Sequence, residues 1–196
     1  MGTGDTDADT ATRIVEAARR ALVEHGYDGL SMARVAAEFD GSQSLIHYHF
    51  DSREGLLAAL LERERDLYIE RLEALPDDPE RRLERLMDTF VREFEDWAEE
   101  SGMATRFVEL SAAATGSEPI RAALRDMYAL IREAFERTIA DGVRSGVFEP
   151  VDPAEVARLL MAGHDSVGER WVVGEPSEIP RIADALDRYV LTEVRR

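Results

Sequence analysis

Lysine and cysteine are both missing from this 196-residue chain. Without cysteine there is no disulfide framework and no thiolate metal site. No apolar run approaches the roughly 18 residues that an α-helical membrane span requires. The opening MGTGDTDADT has no basic stretch followed by an apolar one, so it does not read as a secretory signal. These absences predict a cytoplasmic protein with no membrane contact. Convincing strands and internal repeats are lacking too. Basic charge is scarce and comes entirely from arginine: 24 basic residues face 41 acidic ones, a net of −17.

What is present is helical periodicity, and the stretch 31–57 organises it. Met32, Val35, Ala36 and Phe39 fall at helical spacing and give a short helix one apolar stripe. Ser31 stands before it as a cap, and Asp40-Gly41-Ser42 breaks it with turn-favouring residues. Ser42 then caps a helix of about two turns ending near Phe50. At about 100° per residue, Ile46, His49 and Phe50 gather on one side as core contacts. Ser44, His47 and Tyr48 point the other way, flanked by Gln43 and Leu45. That outward set has hydroxyl, amide, imidazole and phenol groups but no full charge. Such groups can hydrogen-bond base edges and phosphates in a major groove.

Upstream, Ile14, Ala17, Ala18, Ala21 and Leu22 form a further stripe closed by His25-Gly26-Tyr27, with Gly26 as C-cap. The run from Arg13 to Leu57, including His47-Tyr48-His49-Phe50 and the Ser52-Arg53-Glu54 that follows, closely resembles the DNA-binding domain of the TetR family of transcriptional regulators. The likeness covers roughly residues 10–60. It departs from the family's usual pattern at Phe39-Asp40-Gly41, Gln43, Leu45 and His47, which bears on the operator sequence more than on the fold. Leu45 either touches a thymine methyl or packs. The candidate DNA contacts are Gln43, Ser44, Leu45, His47 and Tyr48 in the groove, Ser42 at the start of the same helix, and Arg34, Arg53 and, more weakly, Thr12 and His49 as phosphate contacts.

Charge argues against this assignment. Residues 1–56 hold ten acids and five arginines, a net of −5 where a DNA-binding segment is normally basic. One explanation is a salt-adapted source, since the Debye length shrinks to ~3 Å at 1 M salt. The other is a ligand-binding or interaction protein that has kept the scaffold and lost its operator. The acid excess runs through both halves of the chain, which favours the first.

Residues 1–9 are acidic and aperiodic and are expected to be disordered. The head covers 10–54, and a helical body covers 55–196. Apolar periodicity predicts body helices over 52–75, 79–100, 103–114, 120–144, 153–173 and 178–194, for about nine in total. The expected fold is all-α: a three-helix DNA-binding domain followed by a helical ligand-binding and dimerisation domain. In the resembled family the last two helices of each subunit build a four-helix dimer interface. The seams Val156, Leu160, Gly163, Val167 and Trp171, and Ile182, Leu186 and Tyr189, suit that role, though they also read as ordinary core. The resemblance also implies an effector cavity lined from Met87, Phe90, Phe94, Trp97, Met103, Phe107, Met127, Tyr128 and His164. Aromatic and Met side chains suit a small apolar or aromatic effector. Arg106 and Glu109 read more readily as surface charge than as pocket groups.

Nothing in the sequence suggests catalysis. His47 and His49 do not share a helix face, and no Glu-x-x-His or His-x-x-x-His spacing occurs. No cofactor, metal or catalytic residue is expected. The expectation is a homodimeric regulator, a repressor in the first instance. It would bind a pseudo-palindromic operator and be released by a small-molecule effector.

Overall fold

The computed structural model describes residues 3–195, with side chains from Ala8 onward. All regular structure among these residues is helical. The first helix, α1, runs from Thr3 to Gly29. The expected disorder of 1–9 is therefore replaced by helix from Thr3, while residues 1 and 2 lie outside the described residues. At Gly26 the backbone turns to φ 70°, ψ 174°, a conformation only glycine adopts cheaply, and α1 kinks there.

Two short helices, α2 (Met32–Phe39) and α3 (Gln43–His49), and a longer one, α4 (Arg53–Glu73), follow. Each N-terminus is satisfied by a serine. Ser31 Oγ accepts from Arg34 N at 3.3 Å, Ser42 Oγ from Leu45 N at 3.2 Å, and Ser52 Oγ from Gly55 N at 3.0 Å. Asp40, in the left-handed region at φ 54°, ends α2. Ile14, Ala17, Ala18, Ala21 and Leu22 of α1 are fully buried, as are Val35, Ile46 and α4's Leu56, Leu57 and Leu61.

Packing divides the chain into two units. One comprises residues 1–67 and 109–127, the other 68–108 and 128–196. A boundary at 54/55, as the sequence suggests, falls inside the first unit. The reason is local: Arg19 Nε meets Oε1 of the buried Glu64 at 3.0 Å, tying the first half of α4 to the head.

The remaining helices are α5 (Pro79–Met87), α6 (Phe94–Ser101), α7 (Ala104–Ala113), α8 (Glu118–Ser145), α9 (Pro153–Val172), α10 (Ile179–Leu186) and α11 (Thr192–Val194). Asp78 and Asp152, each followed by proline at the first helical position, cap α5 and α9. The nine expected helices are all recognisable. Two of them are interrupted by π-helical turns, Asp88–Arg92 between α5 and α6 and Asp187–Leu191 between α10 and α11. Arg92 joins the two turns, with its guanidinium 2.6 Å from Asp88 and 2.7 Å from Asp187. The core of the second unit is built from Leu83, Leu86, Met87, Phe90, Ile131, Phe135, Ile139, Leu160 and Val167, with Leu191 and Val194 closing it.

Candidate nucleic-acid interface and effector site

The N-terminal helix pair presents α3 as the sequence implies. Ile46 alone is fully buried, while Gln43, Ser44, Leu45, His47 and Tyr48 are exposed. Tyr48 leaves 75% of its surface open, although nothing about a phenol favours exposure. Gln43 Nε2 and His47 Nε2 lie 3.3 Å apart, one helical turn from each other, and the His49 ring stands edge-on to Tyr48. His49 and Phe50, expected in the core, are only half-buried. The helix ends at His49, and Phe50 takes an extended conformation (φ −135°), so neither continues the face that buries Ile46.

The flanking arginines are not free. The Arg34 guanidinium donates to the carbonyl of Gly29. Arg53 Nη1 donates to the Leu30 carbonyl at 3.2 Å, its guanidinium stacks 4.2 Å above the Tyr27 ring, and Glu54 lies 3.5 Å from its Nε. Both candidate phosphate contacts thus hold the α1–α2 loop against the helix pair. Thr12 bonds back to Ala8 O at 3.1 Å. A further contact escaped sequence reasoning. The Tyr27 amide, freed by the kink at Gly26, donates to Glu109 Oε2 at 2.8 Å, so Glu109 is no idle surface charge.

In the second unit, two helical stripes bring aromatic rings together. Phe90, Phe94 and Trp97 follow at spacings of four and three; His164, Gly168 and Trp171 do the same on α9. Phe90 meets the His164 ring edge-on at 5.7 Å, and Phe94 meets Trp97 at 5.5 Å and Trp171 at 6.5 Å. Phe107 adds a ring 5.9 Å from Trp97. Between His164 and Trp171, Gly168 leaves room: a Cβ there would find only the tip of Phe94, at 3.9 Å. Trp97, Phe107, His164 and Trp171 stay half-buried, whereas Met87 and Met103 are fully enclosed and serve as core. Met127, also buried, belongs to the first unit, and Tyr128 is a half-buried margin of the core. Tyr68 and Phe135, which flank Phe90 at 5.5 and 6.1 Å, were not anticipated.

His164 Nδ1 lies 2.9 Å from the Phe90 carbonyl oxygen. A carbonyl only accepts, so Nδ1 carries the proton. Burial holds the imidazole below the ordinary histidine value, while the bond to Phe90 and the neighbouring Asp165 pull the other way. Asp165 is raised by its own burial. Among the described residues no group of three His, Asp or Glu side chains is placed to hold a metal.

Residues 14–60 match the family model for bacterial regulatory proteins of the tetR family, and residues 79–195, more than half the chain, match that for the C-terminal domain of BetI-type transcriptional repressors. The chain belongs to the tetR family. A TetR transcription regulator from Haloarcula marismortui superposes with a TM-score of 0.88 at 27% identity, covering 95% of this chain and 99% of that one. A transcriptional regulator from Saccharomonospora viridis, solved in complex with choline, superposes with a TM-score of 0.79 at 25% identity over 96% and 99% of the two chains. The repressor AcnR of Corynebacterium efficiens is 27% identical over the whole of this chain and 98% of its own length. This tetR-family chain is therefore a DNA-binding transcriptional regulator, and no described helix is long and apolar enough to cross a membrane.

For the expected dimer seam the structure requires a correction. Val156, Leu160, Gly163 and Val167 are buried within one chain, and a Cβ on Gly163 would sit 2.5 Å from Leu186 Cδ1. Trp171 turns to Phe94. The apolar groups left outward on the last helices are Leu159 (55% exposed), Val172, Val173 and Tyr189 (72%), with Ile182 and Leu186 half-buried. The periodicity could not separate the face of these helices packed on their own chain from the outer one.

Proposed function

We propose that the chain is a homodimeric repressor that reads a pseudo-palindromic operator with α3 and is released by a small quaternary ammonium cation. The carrying observation is the pair of facing stripes, Phe90/Phe94/Trp97 and His164/Gly168/Trp171. The half-buried Trp97 and Trp171 rings, on either side of a glycine gap and backed by the buried Phe94, offer negative π-faces to a cation whose methyl groups also need apolar contact. The choline bound by the Saccharomonospora relative supports the choice. It also narrows the apolar effector anticipated from composition to an apolar body carrying one positive charge.

For DNA, the uncharged, exposed groups of α3 supply base contacts, with Gln43 and His47 side by side and Tyr48 foremost. Leu159, Val172 and Tyr189 supply apolar surface for a second copy. The engagement of Arg34 and Arg53 with loop carbonyls favours the competing reading, a scaffold that has lost its operator.

The chain's two tryptophans, Trp97 and Trp171, both lie in the ring cluster, so selectively excited tryptophan fluorescence reports on this site. Saturable quenching or a spectral shift with choline is expected, and Gly168→Leu should abolish it by filling the gap. Selection from pooled oligonucleotides at 0.1 M to above 2 M potassium chloride should enrich a short palindrome that choline releases. Failure to enrich at any salt would leave the competing reading standing. Light scattering should give twice the chain mass.

A further inference from the structure

We infer that His164 is the specificity residue of the effector site: its Nε2 accepts a hydrogen bond from the effector, selecting a hydroxylated quaternary ammonium over one bearing a carboxylate. This rests on the cation reading above. The argument begins at the π-helical turn Asp88–Arg92. Within it Glu93 N bonds to Asp88 O, five residues back, and Phe90 O is the acceptor that receives His164. With Nδ1–H committed to that carbonyl, the neutral ring has one polar valence left, the lone pair on Nε2. Nε2 has no hydrogen-bond partner among the described residues. The same ring stands edge-on to Phe90, so the bond and the stack together fix its plane.

A lone pair beside an aromatic cluster accepts O–H or N–H and repels an anion. Asp165, next in the chain, adds to that repulsion whenever it is ionised. A trimethylammonium group seated on the rings would therefore gain from a hydroxyl two carbons away and lose from a carboxylate. Choline carries the first and glycine betaine the second, while tetramethylammonium, with neither, measures the cation contribution alone.

The test is titration of the full-length protein with those three cations by tryptophan fluorescence and calorimetry, in wild type and in His164→Asn. Asparagine keeps an N–H donor for the Phe90 carbonyl but has nothing at the Nε2 position. Wild type should bind choline about tenfold more tightly than tetramethylammonium, and glycine betaine most weakly. In His164→Asn choline should fall to the level of tetramethylammonium, whose own affinity stays unchanged. A second variant, His164→Gln, puts an amide near the Nε2 position and should recover part of the preference. Equal binding of choline and tetramethylammonium by wild type, or a parallel loss of both in His164→Asn, would overturn the role of His164 and leave the cation site intact. If wild type binds none of the three, the cation reading falls and takes this inference with it.

Discussion

Tyr48, Arg53 and His164 show how a side chain's surroundings set its use. Tyr48 packs against little besides His49, so Tyr48→Ala should leave the melting temperature nearly unchanged while lowering operator affinity about tenfold or more, read by anisotropy on the selected site. Arg53 should behave in the opposite way. It loses a hydrogen bond to Leu30 O and a stack on Tyr27 when truncated, so Arg53→Ala should cost about 1–2 kcal/mol of stability in denaturant titration. For His164 the pH dependence follows from the direction of its shift. The folded value lies below the unfolded one, so the unfolded chain binds the proton more readily. Stability is full above the ordinary histidine value of 6.5 and declines as pH falls through it toward the folded value. Thermal melts between pH 7.5 and 5 should show that decline, and His164→Gln should flatten it. Asp165, shifted upward, acts in the opposite direction.

At the scale of elements, close packing of α8 on the chain that follows it, and of α9 on α10, is written in two glycines. A Cβ on Gly142 would lie 2.0 Å from the ring of the buried Phe148, which has nowhere to go. On Gly163 it would meet only the end of Leu186, a half-buried and flexible side chain. Gly142→Ala should therefore destabilise by about 2–3 kcal/mol and Gly163→Ala by about 1. Leu186→Ala should relieve much of the second in a double-mutant cycle. Because the Gly163 contact is within one chain, its cost should not vary with protein concentration, as that of a subunit contact would. The helices themselves were legible from spacing and, in the head, from caps: Ser31 and Ser42 cap the helices they precede, while the caps Asp78 and Asp152 went unread. The π-helical turns were not legible, since one extra residue per turn leaves almost no trace in apolar periodicity. Nor was the division of labour among the aromatics. Met87 and Trp97 read alike by spacing, and only packing separates an enclosed core residue from an open ring.

Across the whole molecule, α7 has its first five residues in the second unit and its last five in the first. Phe107 stacks on Trp97, and two residues later Glu109 receives the Tyr27 amide, whose ring lies under Arg53. The proposed effector contact and the Glu109 contact thus fall on one helix, through which a coupling could pass. Glu109→Ala should thus shrink the change in operator affinity that choline produces, while choline affinity itself, read by tryptophan fluorescence, changes little. Glu109→Gln keeps an acceptor and should restore most of the coupling. Charge is the other property of the whole. A basic regulator releases counterions on binding and weakens steeply with salt. Here the net charge is −17, residues 1–56 carry −5 of it, and the head's two best-placed arginines bond to its own carbonyls. Few counterions are there to release, and added salt screens a repulsion rather than an attraction. Operator affinity followed by anisotropy from 0.1 to 2 M potassium chloride should accordingly stay level or rise. A steep fall would mean that Arg34 and Arg53 leave the α1–α2 loop for the phosphates when DNA arrives. In that event Arg53→Ala should reduce the salt slope by about one.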